Sequence, residues 1–313
     1  MRIDIAAQTD IGRRKKKNED YFAFFREDWQ GLALFKDGAF LCVADGLGGH
    51  TSGEIASKLA VSLVKDVLKE EWPAPTTEDP AEDPGPIPLL KRHTARANES
   101  IFQTNREFVN KGLPMGTTIL SAIVTPKKVY IVNVGDSRCY HMRDGDIIAK
   151  TEDHSWVDEQ VKLGLMSKAE AEKDDRRHVV TRCIGTHPEV EMDTYLWHIV
   201  PGDMLLLCTD GLVNMVKDSE IAEFFKKNYS PAEIAHHLIN AANENGGKDN
   251  ITVIVADISP SLRTVVTRRM RSFSRRRGAK LFMFLMFILF GALCFWAGYL
   301  TGAGKWGSLF SMK

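Results

Sequence analysis

The amino-acid sequence predicts a mixed α+β protein, and three observations support that class. Apolar runs of strand length recur and end in turn residues, and one long segment carries a helical stripe. Strands, helices and strands also follow one another in blocks instead of alternating, which speaks against an all-parallel sheet.

In chain order, the first apolar stretch is Tyr21–Phe25, preceded by the acidic pair Glu19-Asp20. Phe40–Ala44 follows and ends at Asp45-Gly46. Residues 51–71 predict a helix: Ile55, Leu59, Leu63 and Val67 repeat every fourth position beside Ala56, Ala60 and Val64, and Thr51 with Glu54 fits a capping box. Residues 73–88 hold six of the twelve prolines and four acids, the composition of an exposed loop. Residues 89–109 predict a second helix. Val129–Val134 runs into Gly135-Asp136, and Asp144-Gly145 predicts a hairpin turn. Residues 156–178 are polar and weakly helical. Met204–Cys208 ends at Thr209-Asp210-Gly211, residues 231–243 predict a helix, and Asp249 precedes the strand Ile251–Ile258.

Residues 281–300 carry twenty consecutive uncharged residues, which as a helix span roughly 30 Å, the thickness of a bilayer core. Seven Lys and Arg side chains from Arg268 to Lys280 precede them, and positive flanks stay cytoplasmic. Trp296, Tyr299 and Trp306 suit the far interface. The expected organisation is therefore a catalytic body over residues 1–260, a basic linker over 261–280, a transmembrane helix over 281–300 and a short tail over 301–313. The body is expected at the cytoplasmic face of a single-pass inner-membrane protein. The first residues lack the apolar core of a signal peptide.

The net charge of zero conceals an asymmetry. Of 41 Lys and Arg, ten fall in residues 261–313, which hold no Asp or Glu, so the first 260 residues carry ten more acids than bases. An acidic body excludes nucleic acid as the expected partner, because a phosphate backbone needs clustered cations. The five cysteines form no C-x-x-C pair; four sit beside apolar residues and are expected as reduced, buried side chains.

Asp45, Asp136 and Asp210 each follow an apolar run, and Asp249 precedes one. Asp-Gly is a common turn, so a single instance means little. Their recurrence means more: carboxylates gathered at one sheet edge repel unless cations neutralise them, and hard divalent ions prefer oxygen ligands. Such ions lower the pKa of bound water and stabilise displacement at phosphorus.

The same residues resemble bacterial-type members of the metal-dependent protein phosphatase family, the 2C-type serine/threonine phosphatases. The matching pieces run in the family's order over roughly residues 6–258: Thr9-Asp10-Ile11-Gly12 to Asn18-Glu19-Asp20, Val43 to His50, Gly116-Thr117-Thr118, Val134 to Arg138, Asp153-His154-Ser155, Thr181 to Gly185, Thr209 to Leu212, and Asp249 to Thr252. The resemblance implies a four-layer α-β-β-α sandwich of two antiparallel sheets flanked by helices. It implies two or three Mn²⁺ or Mg²⁺ ions, with Asp45 bridging two of them and Gly46 offering its carbonyl. Asp210 and Asp249 would complete one shell and, with Asp45, carry catalysis. Glu19 and Asp20 would hold waters of the second ion, and Asp136 matches a third-metal aspartate. A bridging hydroxide would attack phosphoserine or phosphothreonine without a covalent phosphoenzyme, opposing a serine/threonine kinase. Residues 153–185 correspond to the family's flap, and a monomeric catalytic domain is expected.

Two departures stand out. Lys15 occupies the position of the family's phosphate-gripping arginine and keeps the charge without the bidentate fork, with Arg14 as a substitute. Leu47 stands where eukaryotic forms carry histidine, and His50 is left out of the catalytic set. Two alternatives stay open: a phosphoprotein-binding scaffold, which would normally have lost metal-binding acids, and a phosphatase of small esters or of an anti-sigma regulator.

Overall fold

Apolar runs with side chains alternating between two faces can be buried only if both faces are covered, and this chain covers both. The computed structural model describes residues 2–26, 38–48, 52–69, 85–107, 114–171 and 173–259. The span expected over 281–300, its basic flank, His50 and the capping residue Thr51 lie outside them. Among the described residues no helix is long and apolar enough to cross a membrane.

The chain opens with β1 (Arg2–Asp10), β2 (Tyr21–Arg26), β3 (Ala39–Ala44) and the two-residue β4 (Gly46–Leu47). Two helices follow, α1 (Ser52–Lys65) and α2 (Ile87–Glu107). Then come β5 (Gly116–Thr117), β6 (Ile119–Val124), β7 (Lys128–Val134), β8 (Arg138–Arg143) and β9 (Asp146–Lys150). Two short helices, α3 (Trp156–Lys162) and α4 (Lys168–Ala171), precede β10 (Asp193–His198) and β11 (Met204–Cys208). The one-turn α5 (Asp210–Val213), α6 (Asp218–Phe225), α7 (Pro231–Glu244) and β12 (Ile251–Ser259) complete the described chain.

One antiparallel sheet has the order β1-β12-β11-β8-β9 and the other β10-β7-β6-β3-β2. Leu41, Val43, Leu120 and Ile131 of the second meet Cys139, Leu205, Leu207 and Ile254 of the first in the layer between them. The alternate residues of the same strands face helices: Phe40, Cys42 and Ala44 pack under α1 and α2, while Leu206, Cys208 and Val253 pack under α6 and α7. Four layers result, α-β-β-α. Cys42, Cys139 and Cys208 are buried and free, whereas Cys183 is half-buried.

Local chemistry fixes the element ends. At the hairpin between β8 and β9, Asp144 and Gly145 both take positive φ, 52° and 84°, as a two-residue turn of this twist requires. Ser230 and Glu233 cap α7 reciprocally, with Pro231 at its first position.

Three expectations need correction. The first helix ends at Lys65 and tightens into a 3₁₀ turn over Asp66–Lys69. Its buried face is also rotated: Gly53, Ala56, Ser57, Ala60, Val61 and Val64 are buried, while Ile55 is 54% exposed. Small residues let the helix lie closer to β4 than the larger side chains would, so packing distance outweighs side-chain hydrophobicity. Ile87 and Pro88, expected in the proline-rich loop, form the first turn of α2.

Candidate metal centre

The antiparallel registers bring the carboxylates together. Tyr21 pairs with Ala44, Ile119 with Val134, Cys208 with Val253 and Thr9 with Thr252. Asp45, Asp136 and the Glu19-Asp20 pair therefore border one sheet where Asp210 and Asp249 border the other, at one end of the sandwich.

Backbone contacts set each position. The Asp45 amide donates to Thr118 Oγ1 (2.9 Å), and its carbonyl accepts from the Thr118 amide (2.9 Å) and Thr117 Oγ1 (2.7 Å). Gly46 and Gly53 are glycines of necessity: a Cβ on Gly46 would run into the Gly53 carbonyl, and one on Gly53 would lie 2.7 Å from Gly46 O and 3.1 Å from Glu19 Cδ. The first turn of α1 is thus pressed against the Gly46 carbonyl and the Glu19 carboxyl. Ser57 Oγ on the same helix donates to Glu19 O (2.6 Å).

Asn250 does similar work from the other sheet. Its Oδ1 accepts from the Glu19 amide (2.8 Å), and its Nδ2 donates to Ile11 O (3.0 Å) and Lys17 O (2.9 Å). One buried amide thereby holds both ends of the loop carrying Arg14 and Lys15 beside Asp249.

The electrostatics are those of a site short of cations. Asp20 is pushed up to about 7 by its removal from water, against hydrogen bonds from Thr252 and Thr209 and with Asp210 and Asp249 nearby. Asp210 is pushed up to about 6 by the same burial and by Asp249. Burial also holds Asp45 well above the usual carboxylate range, with Asp20, Asp210 and Asp136 adding repulsion. Asp136 is raised likewise, by burial and then Asp210 and Asp153, and Glu19 by burial first. Asp210 lies close enough to Asp45 to raise it further, so the two crowd negative charge into one buried place.

Among the described residues no three His, Cys, Asp or Glu side chains enclose an ion as they stand, and three of the carboxylates are answered by other groups. Thr209 Oγ1 donates to Asp20 Oδ2 (2.8 Å), Asn214 Nδ2 to Asp210 Oδ2 (2.9 Å), and Lys15 Nζ sits 2.6 Å from Asp249 Oδ1. Two oxygens are left over: Asp20 Oδ1 and Asp210 Oδ1 are buried without a hydrogen-bond partner. Orphaned carboxylate oxygens in a buried, mutually repelling cluster fit hard divalent cations, which would also replace the Lys15 ammonium at Asp249.

The structure brings Glu19, Asp20, Asp45, Gly46, Asp210 and Asp249 together, with Asp136 within electrostatic range of Asp45 and Asp210. Lys15 reaches the cluster; burial opposes its charge, but Asp249 outweighs that and holds the ammonium above its ordinary value. Arg14 is fixed beside it by its backbone, whose amide donates to Gly247 O (3.2 Å).

One network was not foreseen from the sequence. Arg138 Nε and Nη2 clasp Asp153 (2.6–2.9 Å), Arg138 Nη1 donates to Tyr140 OH (3.2 Å), and Tyr140 OH donates to Asp218 Oδ1 (2.8 Å). Arg138 lies two residues after Asp136, and the clasp ties that turn to the start of the segment leading to α3. Both partners stood in recognisable motifs, but no pattern in the sequence links positions 138 and 153. From α2, Asn98 and Asn105 hold Gly185 from both sides: Gly185 N donates to Asn98 Oδ1 (2.7 Å) and Asn105 Nδ2 donates to Gly185 O (2.7 Å).

Comparison with known proteins agrees with this geometry. The family described as protein phosphatase 2C matches residues 10–245. The serine/threonine phosphatase stp of Listeria monocytogenes is 37% identical over 253 residues, covering 80% of this chain and 94% of its own. The serine/threonine phosphatase Stp1 of Staphylococcus aureus has a crystal structure with a TM-score of 0.71 and 32% identity, covering 83% of this chain and 96% of that one. The catalytic domain of the serine/threonine protein phosphatase PstP, solved in complex with two manganese ions, has a TM-score of 0.65 at 31% identity, covering 82% and 99%. A PstP of Mycobacterium tuberculosis is 33% identical over 254 residues, which make up 81% of this chain and 44% of its own.

Proposed function

The chain belongs to the protein phosphatase 2C family and is a metal-dependent serine/threonine phosphatase, and from that premise we propose that it removes phosphate from phosphoproteins at the cytoplasmic face of a membrane, opposing a serine/threonine kinase. The observation that carries the chemistry is the set of carboxylates at one end of the sandwich, two of them with buried oxygens left without a hydrogen-bond partner.

Asp45, Asp210 and Asp249, with the Gly46 carbonyl, would hold one part of the metal centre, and Glu19, Asp20 and Asp136 the rest. Bound Mn²⁺ or Mg²⁺ supplies charge for the phosphoryl oxygens and acidifies water. The chain's own residues do the remainder. Lys15 would leave Asp249 and meet a phosphate oxygen, and Arg14 would offer a second cation at the same loop. Asn250 and Gly53 keep the two sides of the cleft in register. No metal-binding acid expected of the family is missing here, which disfavours the scaffold alternative.

The membrane location rests on residues 281–300 and their basic flank, which support a cytoplasmic body tethered by one span. The chemistry is tested on a phosphothreonine peptide. Hydrolysis should require Mn²⁺ and fall by at least about a hundredfold in Asp45→Asn and in Asp210→Asn. Undiminished turnover in both variants would overturn this mechanism.

A further inference from the structure

Three segments meet outside Asp249, and all three are basic. The loop after β1 lies against residues 246–249, with the Arg13 and Arg14 amides donating to Gly247 O (2.7 and 3.2 Å) and Lys15 paired with Asp249. From the segment between α4 and β10, the 3₁₀ turn Asp175–His178 reaches the same place: His178 is within electrostatic reach of Arg177, Lys248 and Asp249.

Arg13, Arg14, Lys16, Lys17, Arg177 and Lys248 lie on these three segments, and none is ion-paired with a carboxylate of the described residues. Their local acids are mostly engaged: Asp249 holds Lys15, Asp174 holds Arg176 (2.8 Å), and Asp10 accepts from Gly12 N and Asn243 Nδ2. Beside them, Asp175 has no ion pair among the described residues. In a body with ten more acids than bases, six cations without an ion pair on three adjoining segments form a local reversal of sign. Lys15 and Arg14 suffice for the phosphate itself. The outer charges lie where residues flanking a phosphorylated side chain would pass.

We propose that this rim selects phosphopeptides carrying Asp, Glu or a second phosphate beside the phosphorylated residue. The inference rests on the phosphatase reading and names its substrate class. Anionic lipid is a poorer match, because the rim lies at the start of β12 whereas the chain departs toward its basic linker from the other end of that strand, at Ser259.

The test compares phosphothreonine peptides with acidic, neutral or basic flanks, using the full chain with Mn²⁺ and p-nitrophenyl phosphate as a flank-free substrate. The acidic peptide should have a kcat/KM about tenfold above the neutral one, and that ratio should shrink toward one as salt rises to about 0.5 M. The double variant Lys16→Glu/Arg177→Glu should lose the preference while hydrolysing p-nitrophenyl phosphate at the original rate. Equal kcat/KM for acidic and neutral peptides, or a preference insensitive to salt, would overturn the proposal without calling on any variant. So would a variant that keeps its peptide preference but loses binding to phosphatidylglycerol vesicles, since the charges would then serve lipid. If the unaltered chain failed on p-nitrophenyl phosphate as well, the phosphatase reading itself would fall, and this inference with it.

Discussion

Lys15 stands in for a cation before any metal arrives. Its ammonium is 2.6 Å from Asp249 Oδ1, an oxygen that a metal would need. Lys15→Met should therefore bind Mn²⁺ about two- to fivefold more tightly by calorimetry, the equivalent of one exposed ion pair, while KM for p-nitrophenyl phosphate rises. Weaker Mn²⁺ binding in the variant would contradict this role. The acids make a second prediction. Asp20 near 7 and Asp210 near 6 hold protons in the metal-free fold that the unfolded chain, with carboxyls near 4, has already released. Between those values the folded state binds more protons, so metal-free stability should fall as pH rises from about 4 to 7. The gain in melting temperature on adding Mn²⁺ should grow over the same range, because protons and metal compete for the same oxygens. A gain that is flat from pH 5 to 7.5 would show that these carboxylates do not titrate together.

At the scale of elements, the acid-bearing strands and the three long helices were legible because each needs only a local pattern, whereas β1, β6, β10 and α6 went unread. Met204–Cys208 is observed with the bounds expected, and the β8–β9 turn follows from Asp144-Gly145 alone. The acid-bearing strand ends were equally visible, since each aspartate borders an apolar run. What could not be read was pairing across the chain. Nothing in positions 138, 153 and 218 announces that Arg138, Asp153 and Asp218 share one network through Tyr140, and nothing in Asn250 announces a hub for residues 11, 17 and 19. The stripe on α1 misled for a related reason: the choice of buried face was made by the approach of Gly53 to Gly46, a contact between distant segments. The Arg138 network carries its own test. Arg138→Leu leaves Asp153 buried without its partner, and breaking such a pair typically costs about 3–5 kcal/mol. Thermal unfolding should show that loss, and restoring apolar balance with Asp153→Leu in the same chain should recover part of it. A variant as stable as the parent would assign the pair no structural weight.

For the molecule as a whole, two regions of opposite charge have separate uses. In the proposed function the acids of the body would supply the metal cluster, and the bases beyond residue 260 would flank the span proposed over 281–300. Deleting residues 281–313 should move the protein from the membrane fraction to the soluble one while leaving turnover of soluble peptides intact. Retention in the membrane fraction would defeat the anchor. The geometry of β12 then has a kinetic consequence. Its nine residues set the metal cluster and the departing chain about 30 Å apart, and residues 260–280 can extend that reach by at most about 75 Å. If the proposed span tethers it, a cleft confined to a hemisphere of that size would meet a phosphoprotein anchored beside it at an effective concentration of about a millimolar. Substrates sharing the membrane would be processed even where peptide affinity is weak, whereas the same sequences in bulk solution would be passed over.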